Sequence, residues 1–313
     1  MSGAESLRFG GKIFGSQQDY WIAVGRLRGS EEESSDPQAE PRGKGVNEIV
    51  FWVTPNLLGD WIQLPDCRPE HIRQARLIKH VFTGNLNAEV NVNPAFNGKE
   101  RHLLRATLAR IFHSTALVPK GLFATDEDTG EVKFAEEFVM PKTDELRALT
   151  SWANVHPQIM KNGRCEHYVA PGLTEEEAAA AAEAAEAAEA KVERFRDIDQ
   201  HDKFPGEQPA FLSKVAGDTQ LYSEGGEGET ISYAVNVIRS LRWPGAVTVA
   251  KGGKHTSIYI GYGLKRGDPS YNPIEPPAVQ TDPEEVQERP EPTPLTEPVE
   301  QPKEGEGEGS GAE

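Results

Sequence analysis

Two cysteines, each close to a histidine, are the residues in this sequence best suited to chemistry. Cys67 and His71 are four positions apart, and Cys165 and His167 are two positions apart. Four such side chains could bind zinc, which takes thiolate and imidazole ligands in a tetrahedral arrangement. Neither spacing is common among zinc sites, and Cys67 is expected in a polar loop. We therefore interpret both cysteines as ordinary structural residues.

Cys165 could also act as a nucleophile if His156 or His167 served as its base. The chain has two cysteines and eight histidines, so some such proximity arises by chance. The glycine-rich stretches at 225–229 and 251–254 lack the spacing of a phosphate-binding loop and are interpreted as turns. The sequence thus predicts no catalytic residue, no cofactor and no metal. A soluble enzyme of unknown type remains an alternative function.

Residues 68–110 hold the densest group of cationic side chains. These are Arg68, Arg73, Arg76, Lys79, Lys99, Arg101, Arg105 and Arg110. Nucleic-acid binding would need aromatic platforms or a groove-reading helix beside them, and neither is evident. The formal net charge of −17 also argues against a phosphate-binding surface. We interpret the stretch as a protein interface or a partner for acidic segments, with weak nucleic-acid binding as a further alternative.

The negative charge is concentrated in three segments. Residues 29–40 contain five acidic residues, residues 174–190 contain six, and residues 269–313 contain twelve against two basic ones. The first is expected to be part of a disordered insertion loop at about 29–45, and the last a disordered Pro- and Glu-rich tail. The middle one begins with a capping box and is rich in alanine, which predicts a projecting helix over 174–196.

A mixed α+β fold is predicted for the rest of the chain. Strand-like runs occur at 12–15, 19–27, 49–53, 61–65, 117–123, 230–241, 246–250 and 257–262. The first two runs and the last two are expected to form hairpins. Helical spacing predicts helices over 69–82 and 143–160, although Pro157 should end or kink the second. Residues 101–113 fit either a helix or a strand.

The predicted domain organisation is a body at 1–168, the acidic helix at 169–200, a β-rich part of the body at 201–268 and the tail at 269–313. Two cysteines are too few for a disulfide framework, which favours a reducing compartment. The opening residues lack a signal-peptide pattern, and no apolar stretch approaches the roughly 20 residues of a membrane-spanning helix. We expect a soluble, intracellular protein without membrane contact.

An ordered series of short motifs resembles the radial spoke head protein 4/6 family. The stretch from Arg8 to Gly15 is similar to the family's R-F-W-G-K-I-x-G opening, with Gly10 in place of Trp. Further matching motifs are Trp61-x-x-Leu64-Pro65, Ala75-Arg76-x-Ile78-Lys79, Phe82-Thr83-Gly84-x-Leu86, Leu104-Arg105-Ala106-x-x-Ala109-Arg110-Ile111, Ser151-Trp152, Gly163-Arg164-Cys165, Leu241-x-Trp243-Pro244-Gly245-Ala246 and Tyr259-Ile260-Gly261-Tyr262-Gly263-x-Lys265. The matches run in order from about residue 8 to residue 277. Family members generally carry a longer region before this block.

The resemblance implies an α+β structural subunit of the radial spoke head in the axoneme of cilia and flagella, without enzymatic activity. It implies five kinds of partner: a radial spoke head 9-type subunit, a paralogous 4/6-type subunit or a second copy, MORN-repeat head subunits, spoke stalk proteins and, transiently, central-pair projections. The acidic segments would face the central apparatus, limiting adhesion while the head relays mechanical signals toward dynein. The candidate interface residues are Arg8, Phe9, Lys12, Trp61, Arg76, Lys79, Arg105, Arg110, Trp152, Trp243, Pro244, Gly245, Tyr259 and Tyr262.

Overall fold

The computed structural model describes ten stretches of the chain, all of them within its first 267 residues. They are 4–27, 38–125, 132–166, 179–180, 194–199, 203–204, 208–217, 221–223, 230–251 and 253–267. The chain divides into the units Met1–Tyr271 and Asn272–Glu313, so every described residue belongs to the first. The predicted acidic helix lies almost wholly outside the described residues, and the predicted tail lies wholly outside them.

The described part of the chain contains fourteen strands and two α-helices with defined bounds. The strands are β1 (Ala4–Ile13), β2 (Tyr20–Leu27), β3 (Val50–Thr54), β4 (Ile62–Gln63), β5 (Leu117–Pro119), β6 (Phe123–Thr125), β7 (Val132–Phe134), β8 (Trp152–Asn154), β9 (Phe211–Ala216), β10 (Leu221–Ser223), β11 (Thr230–Ser232), β12 (Val235–Ser240), β13 (Ala246–Lys251) and β14 (Lys254–Gly261). The helices are α1 (Pro69–Leu77) and α2 (Glu100–Thr115), and 3₁₀ helices occupy Gly45–Asn47, Glu145–Arg147 and Leu149–Ser151. The predicted α+β class is confirmed.

Eight strands form one sheet in the order β4-β3-β2-β1-β14-β13-β12-β9. All neighbours in it are antiparallel except β1 and β14, which run parallel and join the first strands of the sheet to the last. The predicted hairpins β1–β2 and β13–β14 are confirmed. The other strands form the two-stranded pairs β5–β8, β6–β7 and β10–β11.

The parallel contact between β1 and β14 depends on a glycine. Gly11 pairs with Tyr259 and has a φ of 129°. A Cβ atom at this position would lie 1.8 Å from the carbonyl oxygen of Tyr259. Because L-residues rarely adopt such a φ and a side chain would enter the neighbouring backbone, only glycine fits this register.

The ambiguous segment at 101–113 is a helix, α2, and it is buried on nearly every side. Its fully buried residues include Leu104, Leu108 and Ile111. A helix that is apolar on several faces also contains alternating apolar residues, which explains why the pattern fits a strand equally well. Gly10 leaves room for core side chains of β2 and α2, since a Cβ there would lie 2.4 Å from Cγ2 of Val24 and 3.3 Å from Cζ of Phe112.

The core lies between α2 and one face of the large sheet. Alternate residues of β2 and β3, such as Ile22, Val24 and Phe51, pack with the helix in the main cluster. A second cluster, including Trp152 and Ile238, continues this layer toward β12 and β9. The sheet is therefore covered on one face by α2 and by the segments around β5 and β8.

The predicted helix over 143–160 is wrong. The segment contains two 3₁₀ helices separated by Ala148, whose backbone is extended (φ −73°, ψ 134°), and then the strand β8. Trp152 is buried because β8 pairs with β5 and because its indole donates a hydrogen bond to the carbonyl of Leu146 over 2.8 Å. The apolar spacing reflects burial of the segment. The backbone hydrogen bonds of β8 are formed with β5 and not within a helix.

Four other expectations are corrected in detail. The helix predicted over 69–82 ends at Leu77, and the residues after it have no regular structure apart from a bridge at Phe82. The strand predicted over 230–241 is split into β11 and β12. Part of the predicted insertion loop is built into the core, because Glu40 is only 2 % exposed. Cys67 is buried rather than in a polar loop.

No helix in the described ranges is long and apolar enough to cross a membrane.

Candidate functional site

The face of the large sheet opposite α2 carries exposed apolar side chains, including Phe9, Ile260 and Tyr262. Strand alternation places Ala23 and Trp52 on this face, where they form a small cluster with the partly buried Trp61. No helix of the described chain packs over the centre of this face. A half-exposed sheet face with large apolar residues is typical of a surface that binds another protein.

An aromatic patch occupies the centre of this face, and we define it by six residues. They are Phe9, Lys12, Phe14, Trp21, Ile260 and Tyr262. The rings of Phe9 and Trp21 are 6.1 Å apart, and those of Phe14 and Tyr262 are 5.1 Å apart. Phe9 is 46 % exposed and Tyr262 is 56 % exposed.

Lys12 joins the two aromatic pairs of the patch. Its ammonium group lies 4.6 Å from the ring centre of Trp21 and 5.4 Å from that of Phe14. It also forms an ion pair with Asp19 over 2.7 Å, and hydrogen bonds from Lys12 and the Gly15 amide lower the pKa of the Asp19 carboxyl. The cation is therefore held in place over the rings. Exposed aromatic rings of this kind are enriched where one protein binds another.

Three of the predicted interface residues meet in the aromatic patch: Phe9, Lys12 and Tyr262. Phe14, which lies two positions after Lys12, and also Trp21 and Ile260 belong to it as well and were not among the predicted interface residues. The register could have revealed them, because Trp21 pairs with Lys12 across the β1–β2 hairpin and Ile260 lies opposite Lys12 on β14. The hairpin was predicted, but the parallel β1–β14 contact was not.

The cationic stretch at 68–110 does not form one surface. Arg105 is buried and donates to the carbonyls of Val46 and Ile49 over 3.1 Å. Lys79 is exposed beyond the end of α1. Arg76 and Arg110 line a cleft on another part of the molecule, together with Trp243. The basic groups therefore do not offer the continuous track that nucleic-acid backbones require.

The remaining predicted residues support the fold. Trp152 and Tyr259 are buried in the core. Arg8 crosses from β1 to donate to the carbonyl of Ser257 over 2.7 Å. Pro244 and Gly245 form the turn before β13, where the Gly245 carbonyl accepts a hydrogen bond from the amide of Ile260. Trp61 packs beside Trp52 on the open sheet face.

A buried polar cluster under α2 contains the cysteine considered as a nucleophile. Sγ of Cys165 lies 3.8 Å from Nδ1 of His113, a pairing that was not predicted from the sequence. Burial, followed by the nearby carboxylates, raises the pKa of the Cys165 thiol. Nδ1 of His113 is 2.9 Å from the Pro157 carbonyl, so it is the proton-bearing nitrogen and donates there. A neutral thiol beside an imidazole that donates elsewhere lacks the arrangement of an activated nucleophile.

Of the four side chains considered for zinc, the three that lie in the described ranges, Cys67, His71 and Cys165, do not form a cluster. There, no group of three or more His, Cys, Asp or Glu side chains could hold a metal ion. Cys67 and Cys165 are both buried as free cysteines. His71 points its Nε2 atom at the carbonyl of Asn97, 2.9 Å away. His167 lies outside the described residues.

Comparison with known proteins assigns the chain to a family. Residues 32–301 match the family model described as radial spokehead-like protein. The chain belongs to the radial spokehead-like protein family. It is 32 % identical to flagellar radial spoke protein 4 of Chlamydomonas reinhardtii over 294 residues, which cover 88 % of this chain and 61 % of that protein.

Two vertebrate proteins also have sequences similar to that of this radial spokehead-like chain. Radial spoke head protein 6 homolog A of Xenopus tropicalis is 33 % identical over 253 residues, which cover 75 % of this chain and 46 % of the relative. Radial spoke head protein 4 homolog A of Homo sapiens is 28 % identical, with 87 % of this chain and 44 % of the relative covered. The chain thus spans about half the length of these curated relatives.

Proposed function

We propose that this radial spokehead-like protein is a structural subunit of the radial spoke head in the axoneme of cilia or flagella. The observation that carries the proposal is the aromatic patch on the open sheet face of a chain that belongs to this family. Interface cores are enriched in Phe, Tyr, Trp and Arg and depleted in acidic residues. The patch has this composition, because four of its six residues are aromatic.

The patch packs against another subunit of the head in this proposal. A radial spoke head 9-type subunit is the first candidate, and a paralogous 4/6-type subunit or a second copy is the next. MORN-repeat head subunits and spoke stalk proteins contact other surfaces. A large aromatic anchor in a desolvated contact contributes about 2 kcal/mol or more to binding, so a few patch residues are sufficient to determine the affinity.

The acidic segments have a different role in this proposal. Residues 29–40, 174–190 and 269–313 together contain 23 acidic and two basic residues, a net charge of −21, whereas the whole chain has a net charge of −17. Like charges on facing surfaces repel over a Debye length of about 8 Å at physiological ionic strength. Such segments would keep contacts with central-pair projections brief while the head relays mechanical signals to dynein.

The test is purification of the tagged full-length chain from axonemes, with quantification of the spoke-head subunits that accompany it. The test variant combines Phe9→Glu and Tyr262→Glu, which place two charges in the patch without touching the core. The control is Leu58→Glu, because Leu58 is 97 % exposed and lies before β4, outside the patch. We expect a loss of at least tenfold in recovered partners for the double variant and no loss for the control.

Thermal unfolding separates a binding defect from a folding defect, since both surface variants should melt near the wild-type temperature. If the wild-type chain were absent from spoke heads, the proposed function would be wrong. If the wild type assembled and the double variant assembled equally well, the function would stand and the patch would not be the interface.

A further inference from the structure

A pocket on the α2 side of the large sheet has no role in the function proposed above. It lies just past the end of α2, between β1, β2 and β14 of the sheet and the residues of β5, of β6 and of the segment that follows β8. We call it the Arg8 pocket, because Arg8 lines it. Its volume is about 280 Å³, and none of the described residues that line it is acidic.

Arg8 is the cation that a ligand in this pocket would meet. Its Nη1 atom donates to the carbonyl of Ser257 over 2.7 Å, and its guanidinium carbon lies 5.6 Å from the ring centre of Phe112. A carbonyl oxygen and an aromatic ring carry no net charge, so these contacts orient the guanidinium without neutralising it. Among the described residues Arg8 forms no ion pair. Its side chain is exposed, so a ligand can reach it from solvent.

The other basic side chains of the lining add little free positive charge. Arg26 forms an ion pair with Glu48, a carboxylate that also contacts His156 over 3.4 Å. Burial, followed by the charge of Arg8, lowers the pKa of His255, so its imidazole is neutral at physiological pH and can donate one hydrogen bond. In the described part of the chain, the Arg8 pocket therefore presents one cation without an acidic partner, which suits a ligand group with a single negative charge.

The walls of the Arg8 pocket are apolar. They are formed by Val24, Ile49, Leu117, Val118, Phe123 and Val155. Such walls favour burial of an apolar group next to the charge. The helix end beside the pocket is the C-terminus of α2, whose partial negative charge disfavours a multiply charged anion such as phosphate. The cation and the walls together match an apolar group that carries one carboxylate.

The size of the pocket indicates that it encloses the end of a longer ligand. Pockets that enclose drug-sized molecules have volumes of roughly 300–1,000 Å³, and the volume of this one lies just below that range. Ser6 and Arg8 are exposed members of its lining, so the rest of a bound chain can extend toward solvent. Capture of a C-terminal carboxylate is a recurring mode of peptide recognition. The last residue of a peptide combines that carboxylate with a side chain.

We propose that the Arg8 pocket binds the C-terminal residue of a partner protein. The terminal carboxylate would accept hydrogen bonds from the Arg8 guanidinium, which is suited to bidentate contacts with it. An apolar side chain of the same residue would pack against the walls. This contact lies on the α2 side of the sheet, opposite the aromatic patch, and does not depend on that patch.

The test uses the full-length chain and fluorescence anisotropy of a rhodamine-labelled peptide, Gly-Ser-Gly-Ser-Leu, with a free C-terminus. The same peptide with an amidated C-terminus is the matched probe, because it lacks only the carboxylate. Arg8→Gln removes the cation. Ser6→Phe keeps the cation and places a ring in the pocket from an exposed position. Arg239→Gln is the control, because Arg239 is exposed on β12, three strands away from β1 in the sheet.

We expect the wild type to bind the free-acid peptide at least about tenfold more tightly than the amide, because only the carboxylate accepts charge-assisted hydrogen bonds from Arg8. Arg8→Gln should abolish this preference, Ser6→Phe should weaken binding of the acid by a similar factor, and Arg239→Gln should leave it unchanged. Thermal unfolding checks that each variant is folded. If Arg8→Gln melts far below the wild type, the Ser6→Phe result decides.

Equal binding of the acid and the amide would overturn the proposal, and so would wild-type affinity in a folded Arg8→Gln or in Ser6→Phe. Failure of the wild type to bind the acid at millimolar concentration would also overturn it. Hexanoate serves as a free small acid in competition. If it displaced the peptide at a concentration below the dissociation constant of the peptide, the pocket would be a site for a small carboxylic acid, and the assignment to a protein C-terminus would be wrong.

Discussion

At the scale of single residues, Glu40 links segments of the chain that are far apart in sequence. One carboxylate oxygen accepts a hydrogen bond from the amide of Val46 over 2.6 Å. The other accepts bonds from the amides of Cys165 and Glu166 over 2.8 and 2.9 Å. Since the side chain is buried, these three donors replace the water that the carboxylate loses on folding.

The first prediction concerns this carboxylate. Glu40→Gln keeps the size of the side chain but replaces one acceptor oxygen with an NH₂ group that faces backbone donors. We expect the free energy of unfolding to fall by about 2–3 kcal/mol, because charge-assisted hydrogen bonds are lost and buried donors are left unpaired. Urea unfolding measures this change in the free energy of unfolding. Glu137→Gln, at an exposed position, should change the free energy by less than about 0.5 kcal/mol.

The buried imidazole of His113 makes folding sensitive to pH. Burial, reinforced by the charge of His156, lowers the pKa of His113 to about 3 in the folded protein, whereas an unfolded histidine has a pKa near 6.5. The unfolded chain therefore binds this proton first as the pH falls. The stabilising contribution is fully present above pH 6.5 and is lost progressively between pH 6.5 and 3.

The second prediction follows from this shift. In the wild type, His113 should lower the free energy of unfolding by about 1.4 kcal/mol for each unit by which the pH falls within that window. His113→Gln keeps an N–H donor near the Pro157 carbonyl but does not titrate, so this part of the slope should disappear. Urea unfolding at pH 7.5, 6 and 5 measures the slope. Identical slopes for the two proteins would show that His113 is not the titrating group.

A separate acid-sensitive group acts at lower pH. Burial opposes ionisation of Glu48, but the hydrogen bond with His156 and the charges of Arg194 and Arg26 outweigh it and hold the pKa of Glu48 well below its usual range. Its contribution is therefore present above about pH 4.3 and is lost below that value. The two windows overlap only below about pH 4.3. Burial also lowers the pKa of His102 to about 4 and lowers the pKa of His255, so the difference in slope between the wild type and His113→Gln, rather than the slope alone, reports on His113.

These buried polar residues could not be predicted from the sequence. Glu40 lies in a segment with the composition of an acidic loop, and Arg105 lies in a stretch rich in cations. Their partners lie 125 and 58 positions away in the chain, at Cys165 and Asn47. Local patterns report only on neighbouring residues, so a charge that is paired across the fold looks the same in sequence as a charge that faces water.

At the scale of secondary-structure elements, the sheet depends on the contact between β1 and β14. Its first four strands and its last four are each joined by antiparallel pairs, and only this parallel pair joins the two groups. Gly11 is the position where a side chain would enter the Tyr259 backbone. The stability of the whole sheet is therefore sensitive to one position.

The third prediction compares two glycines that both have a positive φ. Gly11→Ala should lower the free energy of unfolding by more than about 4 kcal/mol or prevent folding, because strain is added to a backbone clash. Gly253→Ala should cost only about 1 kcal/mol, because no described atom lies within 4 Å of the position that its Cβ would take. Soluble yield and urea unfolding of both variants measure the difference. Equal stabilities would show that the β1–β14 contact can shift to admit a side chain.

Elements with local signals were predicted well, and elements defined by distant partners were not. The hairpins β1–β2 and β13–β14 combine alternating apolar residues with short turns, so their signals are local. The error over 143–160 arose because Leu146, Leu149 and Trp152 have helical spacing, although β8 is extended through its pairing with β5. The aromatic patch was predicted in part, through Phe9, Lys12 and Tyr262, because its assembly also requires the parallel strand pair.

At the scale of the whole molecule, the described fold has two unlike faces. One face of the large sheet is covered by α2 and carries both large core clusters. The other carries the aromatic patch and a small cluster around Trp52. A sheet that is covered on one side and apolar on the other is suited to act as a building block, since the second layer can be supplied by another subunit.

The last prediction concerns the acidic residues at the end of the sequence. Residues 282–313 contain eleven acidic and two basic residues, with few apolar residues that could contribute to a core. Deleting them should change the melting temperature by less than about 2 °C, because a segment that buries little apolar area adds little to stability. It should also make the protein elute earlier from an anion exchanger, because nine net negative charges are removed from a chain whose formal net charge is −17. A matched full-length variant, in which the eleven acidic residues become Asn or Gln, should elute similarly and melt at the same temperature. A clear drop in melting temperature for the deletion alone would show that this segment contributes contacts to the fold. Residues 282–313 would then have to be counted as part of the folded protein.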